Sequence, residues 1–415
     1  MNLLSVTKDF SLMKIAYVVP YVPNLIRTRP YNLIIQLASL GHEVEVFTLG
    51  SNKQDLVDIQ TLKTKCRAVH YHVQPVWRSF LNSALAVFST QPLQSVYSWQ
   101  GNMAQQLAER VSRNEFDVVH VEHLRGSRYG TFLKSRFSAM PVVWDSVDSI
   151  SHLFQQAASQ SRNFFGKFVT RFELPRTQKA EGNLICSFDQ VLVTSTTDKN
   201  ALLELAPKDK RPSPISVLPN GVDLDYFQPN PDIQRDEETI VFSGKMSYHA
   251  NISMVKYLVD EVMPRVWKVC PAARLIIVGK DPTPNIKALA ENPLVTVTGT
   301  VDDIRPFLWH ATVSVVPLLY GAGIQNKILE AMATGTPVIT TSRTLSALEA
   351  QPGREILVAD DADIFSAEIL RLIENKDLVN ELGNAGLMYV QKNHSWKNIA
   401  FHLVDVYQQV SRKII

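Results

Sequence analysis

"LLYGAGIQNKILEAMATGTPVITT", residues 318–341, is read as a strand end, a glycine-punctuated loop, a short helix, a turn and a second strand. Strand, helix and strand in that order is the unit from which parallel sheets are built. Gly335 and Pro337 stop the helix and restart a strand. Lys327 falls in the first turn of that helix. A helix N-terminus carries partial positive charge, so a lysine there is electrostatically misplaced unless an anion sits nearby. The unpaired amides of the same turn are themselves an anion site.

The alternation extends outward over the chain. "KIAYVVP" (14–20), a helix around Pro30 to Leu40 closed by Gly41, "HEVEVFTLG" (42–50), "FDVVHV" (116–121), "PVVWDS" (141–146) and "QVLVTS" (190–195) form one series. The polar stretch "DIQRDEET" (232–239) reads as a linker. A second series follows with "IVFSG" (240–244), a helix near 252–269, "RLIIVG" (274–279), "VTVTG" (295–299), a helix near 303–310, "VSVVPL" (313–318) and "PVIT" (337–340). The last stretch, from Ser395, is amphipathic through Trp396, Ile399, Leu403 and Tyr407. The expected class is α/β, with two doubly wound domains.

Composition agrees with that count. A chain of 415 residues with 45% hydrophobic content exceeds one comfortable core and suffices for two. A formal charge of +2 carries no footprint of general nucleic-acid binding, so anion recognition has to be local. Three cysteines, Cys66, Cys186 and Cys270, lie too far apart to suggest a disulfide framework or a zinc site, which fits a reducing cytoplasm. Residues 1 to about 12 read as a loose extension whose apolar run is broken by Lys8 and Asp9, unlike a secretory signal. Ser79 to Ala108 contains no charged residue. Pro92, Asn82 and several glutamines argue against a spanning helix there, leaving a partly buried surface helix or a membrane-facing patch.

Open parallel sheets bind ligands beyond the carboxyl ends of their strands. Four strands of the second series end in glycine-bearing loops: "FSGKMSYHAN", "IVGKDP", "VTGTVDD" and "LYGAGIQNK". Glycine lets a ligand approach the backbone closely. Gly244, Gly279, Gly321, Ala322, Gly323, Ile324, Gln325 and Asn326 are therefore the binding candidates. Lys327 and the loop amides would hold phosphate. Glu330, three residues on and on the same helix face, would accept hydrogen bonds from a ribose diol or would simply pair with Lys327.

In order along the chain, "LPNGVDLDYFQP" (218–229), "VFSGKM" (241–246), "LIIVG", "VTGTVDD", "VSVVPLLYGAGIQNKILEAMATGTPVIT" and "HSWKNIAFHLVDVY" (394–407) resemble the family 4 retaining glycosyltransferases. More narrowly, they resemble sugar transferases of bacterial exopolysaccharide and capsule clusters. The resemblance implies the GT-B type: two Rossmann-like domains facing an interdomain cleft, spanning residues 13–230 and 231–394, with a helix at 395–415 crossing back to the first. It implies a nucleotide-diphosphate sugar donor in the second domain, a glycan or lipid-linked acceptor in the first, no metal, and no cofactor beyond the donor. A cytoplasmic protein, with peripheral association at the inner face of the membrane, is the corresponding location.

Gly244 and Lys245 fall where the family has a glycine and a basic residue contacting the donor diphosphate. Glu330 falls on the second glutamate of the family's paired glutamates. The first of the pair falls at Ala322, and a further basic position at Ala250. Lys327 is expected to supply the missing charge, and Gln325 or Asn326 to take over sugar recognition. In the first domain, "DVVHVEHLRGSRYG" (117–130) resembles the segment carrying an active-site histidine. That position holds Glu122, with His123 displaced by one, so both are candidates. Asp145 and Asp148 would cap a helix, or Asp145 would contact acceptor hydroxyls. Arg27 and Arg29 read as solvated loop charges or as cations for an anionic acceptor. His120 and His123 lack a third ligand, and "DLD" (223–225) and "DAD" (361–363) sit in turns, so no metal is expected. Two rival readings are a sugar epimerase of the same architecture and a non-catalytic nucleotide-sugar-binding subunit.

Overall fold

The computed structural model describes residues 11–412 except 26, 161–163, 321–324 and 346. The chain divides into two compact units. One runs to Leu218 and regains the chain from Ile399, and the other is Pro219–Asn398. The division thus falls earlier than the polar stretch read as a linker. The reason is Arg235 in the middle of that stretch, whose guanidinium donates to the carbonyls of Leu308, Ala311 and Gly335 and so ties the segment into the second unit.

In the first unit the strands are β1 (Lys14–Val19), β2 (Glu43–Gly50), β3 (Ala68–Val73), β4 (Val118–Glu122), β5 (Val142–Val147), β6 (Gln190–Val193) and β7 (Ile215–Val217). They pair in parallel, in the order β3-β2-β1-β4-β5-β6-β7. β1 is central, with Ile15 to Val19 fully buried. Both faces of such a strand are covered, so it reads as an unbroken apolar run. The strand order reverses between β1 and β4, and the loops after these two strands therefore flank the crevice where ligands of such sheets bind. Tyr21 follows β1, and His123 follows β4.

The second unit repeats the arrangement with β8 (Thr239–Ser243), β9 (Arg274–Val278), β10 (Val295–Gly299), β11 (Val313–Val316), β12 (Val338–Thr340) and β13 (Leu357–Val358), in the order β10-β9-β8-β11-β12-β13. Its reversal lies between β8 and β11. The loop after β8 begins at Gly244, and β11 is followed, after Pro317, by Leu318, Leu319 and Tyr320 of the opening stretch. The helix expected near 252–269 is present as His249–Tyr257 and Met263–Val269, joined by a π-helical segment at Leu258–Val262 ahead of Pro264. The helix after the opening loop is Asn326–Ala333. The final helix, Trp396–Arg412, buries Trp396, Ile399, Leu403 and Tyr407.

Candidate functional site

In the second unit, three strand ends are drawn together by glycines. Gly244 N donates to Val278 O at 3.0 Å, and Gly279 N to Gly299 O at 3.2 Å. Gly244 and Gly279 have φ of +149° and +146°, a region that side chains rarely enter. A Cβ on Gly279 would stand 1.8 Å from Gly244 O, a backbone atom that cannot move aside. Gly279→Ala is therefore expected to destabilise the second unit by roughly 3 kcal/mol or more, combining strain and clash. Urea unfolding read on that unit would show it, and a loss under about 1 kcal/mol would contradict the packing described.

Gly244 has a second reason to lack a side chain. Its Cβ would lie 2.9 Å from Lys327 Nζ and 2.7 Å from Asn251 Nδ2. Lys327 is 8% exposed, so it is no solvated surface lysine. Its ammonium donates to Asn251 Oδ1 at 2.8 Å and lies 4.1 Å from the centre of the Phe242 ring. Asn251 is held in turn by its Nδ2 donating to Lys245 O at 2.9 Å. The amide of Asn251 thus bridges the loop after β8 to the helix after β11. Burial lowers the Lys327 pKa to about 7, against the opposing pull of Glu330. Burial likewise raises the Glu330 pKa to about 7, with Lys327 opposing. Lys327 points to Asn251 rather than forming a direct ion pair with Glu330. A desolvated ammonium with one neutral partner, poised over a glycine turn at the carboxyl end of a sheet, has the chemistry that an anion would complement.

The other candidates fall variously. Lys245 is exposed, with Nζ 3.4 Å from Asp281 Oδ2, and it is the carbonyl of Lys245 rather than its side chain that joins the buried cluster. Gln325 starts the helix without a side-chain cap, and Asn326 Oδ1 is buried without a partner, an acceptor in need of a donor. Gly321, Ala322, Gly323 and Ile324 lie outside the described residues. Asn251 was missed by the sequence reading, which stopped at its neighbour Ala250. No motif marks an asparagine whose partner is distant in sequence.

In the first unit, Glu122 is buried, and both its oxygens are taken, by Tyr17 Oη at 2.8 Å and Tyr21 Oη at 3.3 Å. Burial, and then Glu122 itself, raise the Tyr17 pKa, which keeps that hydroxyl a donor. Glu122 is therefore a buried acceptor held by two tyrosine hydroxyls. Arg29, read as a solvated loop charge or as a cation for an anionic acceptor, is buried. Its Nε and Nη2 donate to Asp145 Oδ2 at 3.0 and 2.8 Å. Asp145 thus neither caps a helix nor faces solvent. Asp148 accepts from Thr194 Oγ1, and burial raises its pKa to about 6.

His120 lies between these groups. Its Nδ1 is 2.8 Å from Tyr407 Oη, and its Nε2 is without a hydrogen-bond partner, 3.7 Å from Glu122 Oε2 and 3.8 Å from Asp145 Oδ2. The sequence reading saw no third ligand beside His120, yet the fold brings one histidine and two carboxylates within 4.8 Å. The facing oxygens already accept from Tyr17 and Arg29, and the guanidinium supplies the positive charge that a metal would otherwise bring.

His123 begins the His123–Lys134 helix with φ of +62°. Its Nδ1 accepts from Arg125 N at 3.3 Å, which makes Nε2 the protonated nitrogen, and Nε2 has no partner among the described residues. Burial, with Arg125 adding to it, lowers the His123 pKa to about 4, so the ring is neutral and presents one N–H donor.

The comparisons with known proteins agree with this architecture. Residues 27–226 match the model described as Glycosyltransferase Family 4, and residues 237–375 match Glycosyl transferases group 1. A mannosyltransferase of Mycolicibacterium hassiacum, named MMP alpha-(1->4)-mannosyltransferase, is 23% identical over 91% of this chain and 93% of its own length. An uncharacterised 44.6 kDa protein of the Klebsiella pneumoniae cps region is 22% identical over 88% and 90%. Among solved structures, the sucrose-phosphate synthase of Thermosynechococcus elongatus superposes with a TM-score of 0.67 at 18% identity, over 97% of this chain and all of that one. At that identity the likeness establishes the fold.

Proposed function

We propose a function from the premise that this chain belongs to the family 4 glycosyltransferases and has their GT-B fold: it transfers a sugar, with retention, from a nucleoside-diphosphate sugar to a hydroxyl of a glycan or lipid-linked acceptor. The location of a relative in a cps region favours cell-surface polysaccharide as the product. The observation that carries the donor half is the Lys327 ammonium, desolvated and set over Gly244 at the reversal of the second sheet. As the sugar–phosphate bond breaks, negative charge grows on the departing diphosphate. Lys327 and the helix amides are preorganised to take up that charge. Glu330 is assigned to the ribose diol and Asn326 to the donor sugar in the second unit, and the His123 Nε2–H to an acceptor hydroxyl in the first. With the charge met by an ammonium and amides, turnover is expected to persist in EDTA.

Two measurements test this reading. A thermal-shift panel of UDP, GDP and ADP should single out one base, since a ligand of the native state raises apparent stability with the logarithm of its concentration. Transfer to an acceptor panel should then release that nucleoside diphosphate in step with a new bond of the donor's anomeric configuration. Binding without any turnover would favour the silent-subunit reading, and an epimerised sugar with no new bond would favour the epimerase.

The pH dependence follows from the buried pair. Below about pH 7 free Lys327 is already charged. Above it, donor binding has to draw a proton onto the amine, so kcat/KM for the donor should fall by up to about tenfold per pH unit on the alkaline side. Below about pH 7 Glu330 becomes protonated and loses its capacity to accept from both ribose hydroxyls, which gives an acid limb. The profile should peak near neutrality, and Glu330→Gln should abolish the acid limb while keeping the alkaline one.

Among the described residues no helix is long and apolar enough to cross a membrane. Peripheral association at the inner membrane face belongs to the proposal, and it is the natural position for an enzyme with a lipid-linked acceptor.

A further inference from the structure

The Val76–Ala86 helix of the first unit is inside out. Its inner side is small and polar: Ser79 and Ala86 are buried, and Asn82 Nδ2 donates to Trp99 O at 3.1 Å. Its outer side and the residues just beyond carry Trp77 at 67% exposure, Phe80 at 65%, Leu85 at 69% and Phe88 at 96%. The segment is anchored rather than frayed, since Arg176 Nη2 donates to Val87 O at 2.6 Å. A contiguous exposed apolar face on a well-tethered helix marks an interaction surface. The chain from Gln74 to Ala108 contains no acidic residue and one base, Arg78. Trp and Phe facing outward, with Arg78 on the helix, Arg176 at its end and no acid within the stretch, is the chemistry of a helix lying in an anionic lipid interface.

Under the first turn of this helix lies a polar cavity of about 180 Å³. It opens at the carboxyl ends of β1, β2 and β3, and Arg27, Arg125, Gln74 and Ser79 are among its lining residues. Arg125 forms no ion pair among the described residues, and its Nε is buried without a hydrogen-bond partner. Arg27 is exposed and lies 4.7 Å from the centre of the Tyr21 ring. Gln74 is 5% exposed and lines the cavity with its Oε1 unpartnered, while its Nε2 is given to Ser79 Oγ. Asp55 also lines the cavity, but its Oδ2 is taken up by the amides of Ser51 and Asn52. The cavity thus offers two guanidinium groups to an anion and one buried acceptor to a hydroxyl.

We propose that cavity and helix form one site for an amphiphilic acceptor, a saccharide joined through phosphate to a hydrocarbon chain. Arg27 and Arg125 hold the phosphate, Gln74 takes a sugar hydroxyl, and Trp77, Phe80, Leu85 and Phe88 enter the bilayer that carries the chain. The proposal rests on the transferase reading, and it narrows the acceptor to a lipid phosphate.

The test uses the full chain in two arms. Co-sedimentation with phosphatidylcholine–phosphatidylglycerol vesicles should show at least a tenfold lower partition for the Trp77→Ser, Phe80→Ser, Phe88→Ser triple variant. Calorimetric titration is done on the Lys327→Ala chain, whose donor site lacks its phosphate-binding amine. There dodecyl diphosphate should bind at least tenfold more tightly than dodecyl maltoside, and adding Arg27→Ala and Arg125→Ala should erase that preference. The apolar triple variant, on the same background, should bind inorganic diphosphate unchanged. Equal affinity for the two detergents, arginine variants without effect, or vesicle binding untouched by the triple variant would each overturn the proposal. So would a dimer of the native chain that the triple variant splits. Failure of every nucleoside diphosphate to bind the native chain would sink the donor assignment and leave these two measurements standing.

Discussion

Replacing Lys327 by alanine is expected to cost about 10² to 10³ in kcat/KM for the sugar donor, the size of effect seen when one preorganised charge-stabilising donor is removed. The loss should appear mainly in kcat, because the charge on the diphosphate grows as the bond breaks, with a smaller loss in nucleoside diphosphate affinity. Folding stability should move the other way in Lys327→Met. A desolvated ammonium with one amide partner is a burden on the fold, and an apolar chain of similar length removes it while keeping contact with Phe242. A variant both more stable and nearly inactive would identify the lysine as a functional cost carried by the native structure. Unchanged turnover in Lys327→Ala would refute the assignment of the anion.

The second large effect concerns the first unit. Asp145→Ala leaves the Arg29 guanidinium buried without its carboxylate and removes one of the two acids facing His120. Breaking a buried pair from one side typically costs about 3–5 kcal/mol. Denaturant unfolding of the full chain should show a loss of that order in the transition that reports on this unit. The double variant Arg29→Met, Asp145→Leu should recover part of it, because both members of the pair are then removed together. Equal losses in the single and double variants would mean that shape, rather than charge, holds the region together.

The two-unit, parallel-sheet plan was legible because β1 and β8 are buried on both faces and show it as unbroken apolar runs. β3, β7 and β13 were not read. The side chains of β3 are only partly buried at a sheet edge, and β7 and β13 have three and two residues, too few for any periodicity. Lys327 announced itself through a local conflict between its charge and its place on a helix. Asn251, Arg29 and Tyr407 could not be found in that way. Each is defined by a partner 76, 116 or 287 residues away, and such pairings exist only once the sheet order is known. Glu122 misled for the same reason, since the two tyrosines that occupy it lie more than a hundred residues upstream.

The hydrogen bond between Tyr407 and His120 also bears on the order of biosynthesis. His120 is made early, on β4, whereas Tyr407 emerges from the ribosome only after the whole Pro219–Asn398 unit has been translated. The nascent first unit therefore waits with the Nδ1 of a buried imidazole unpaired and with the surface later covered by the final helix open to water. Ribosome-bound chains ending before residue 399 should consequently be more susceptible to protease around β4 than released protein, and resistance should arrive in one step with synthesis of the last helix rather than build up as each unit is completed.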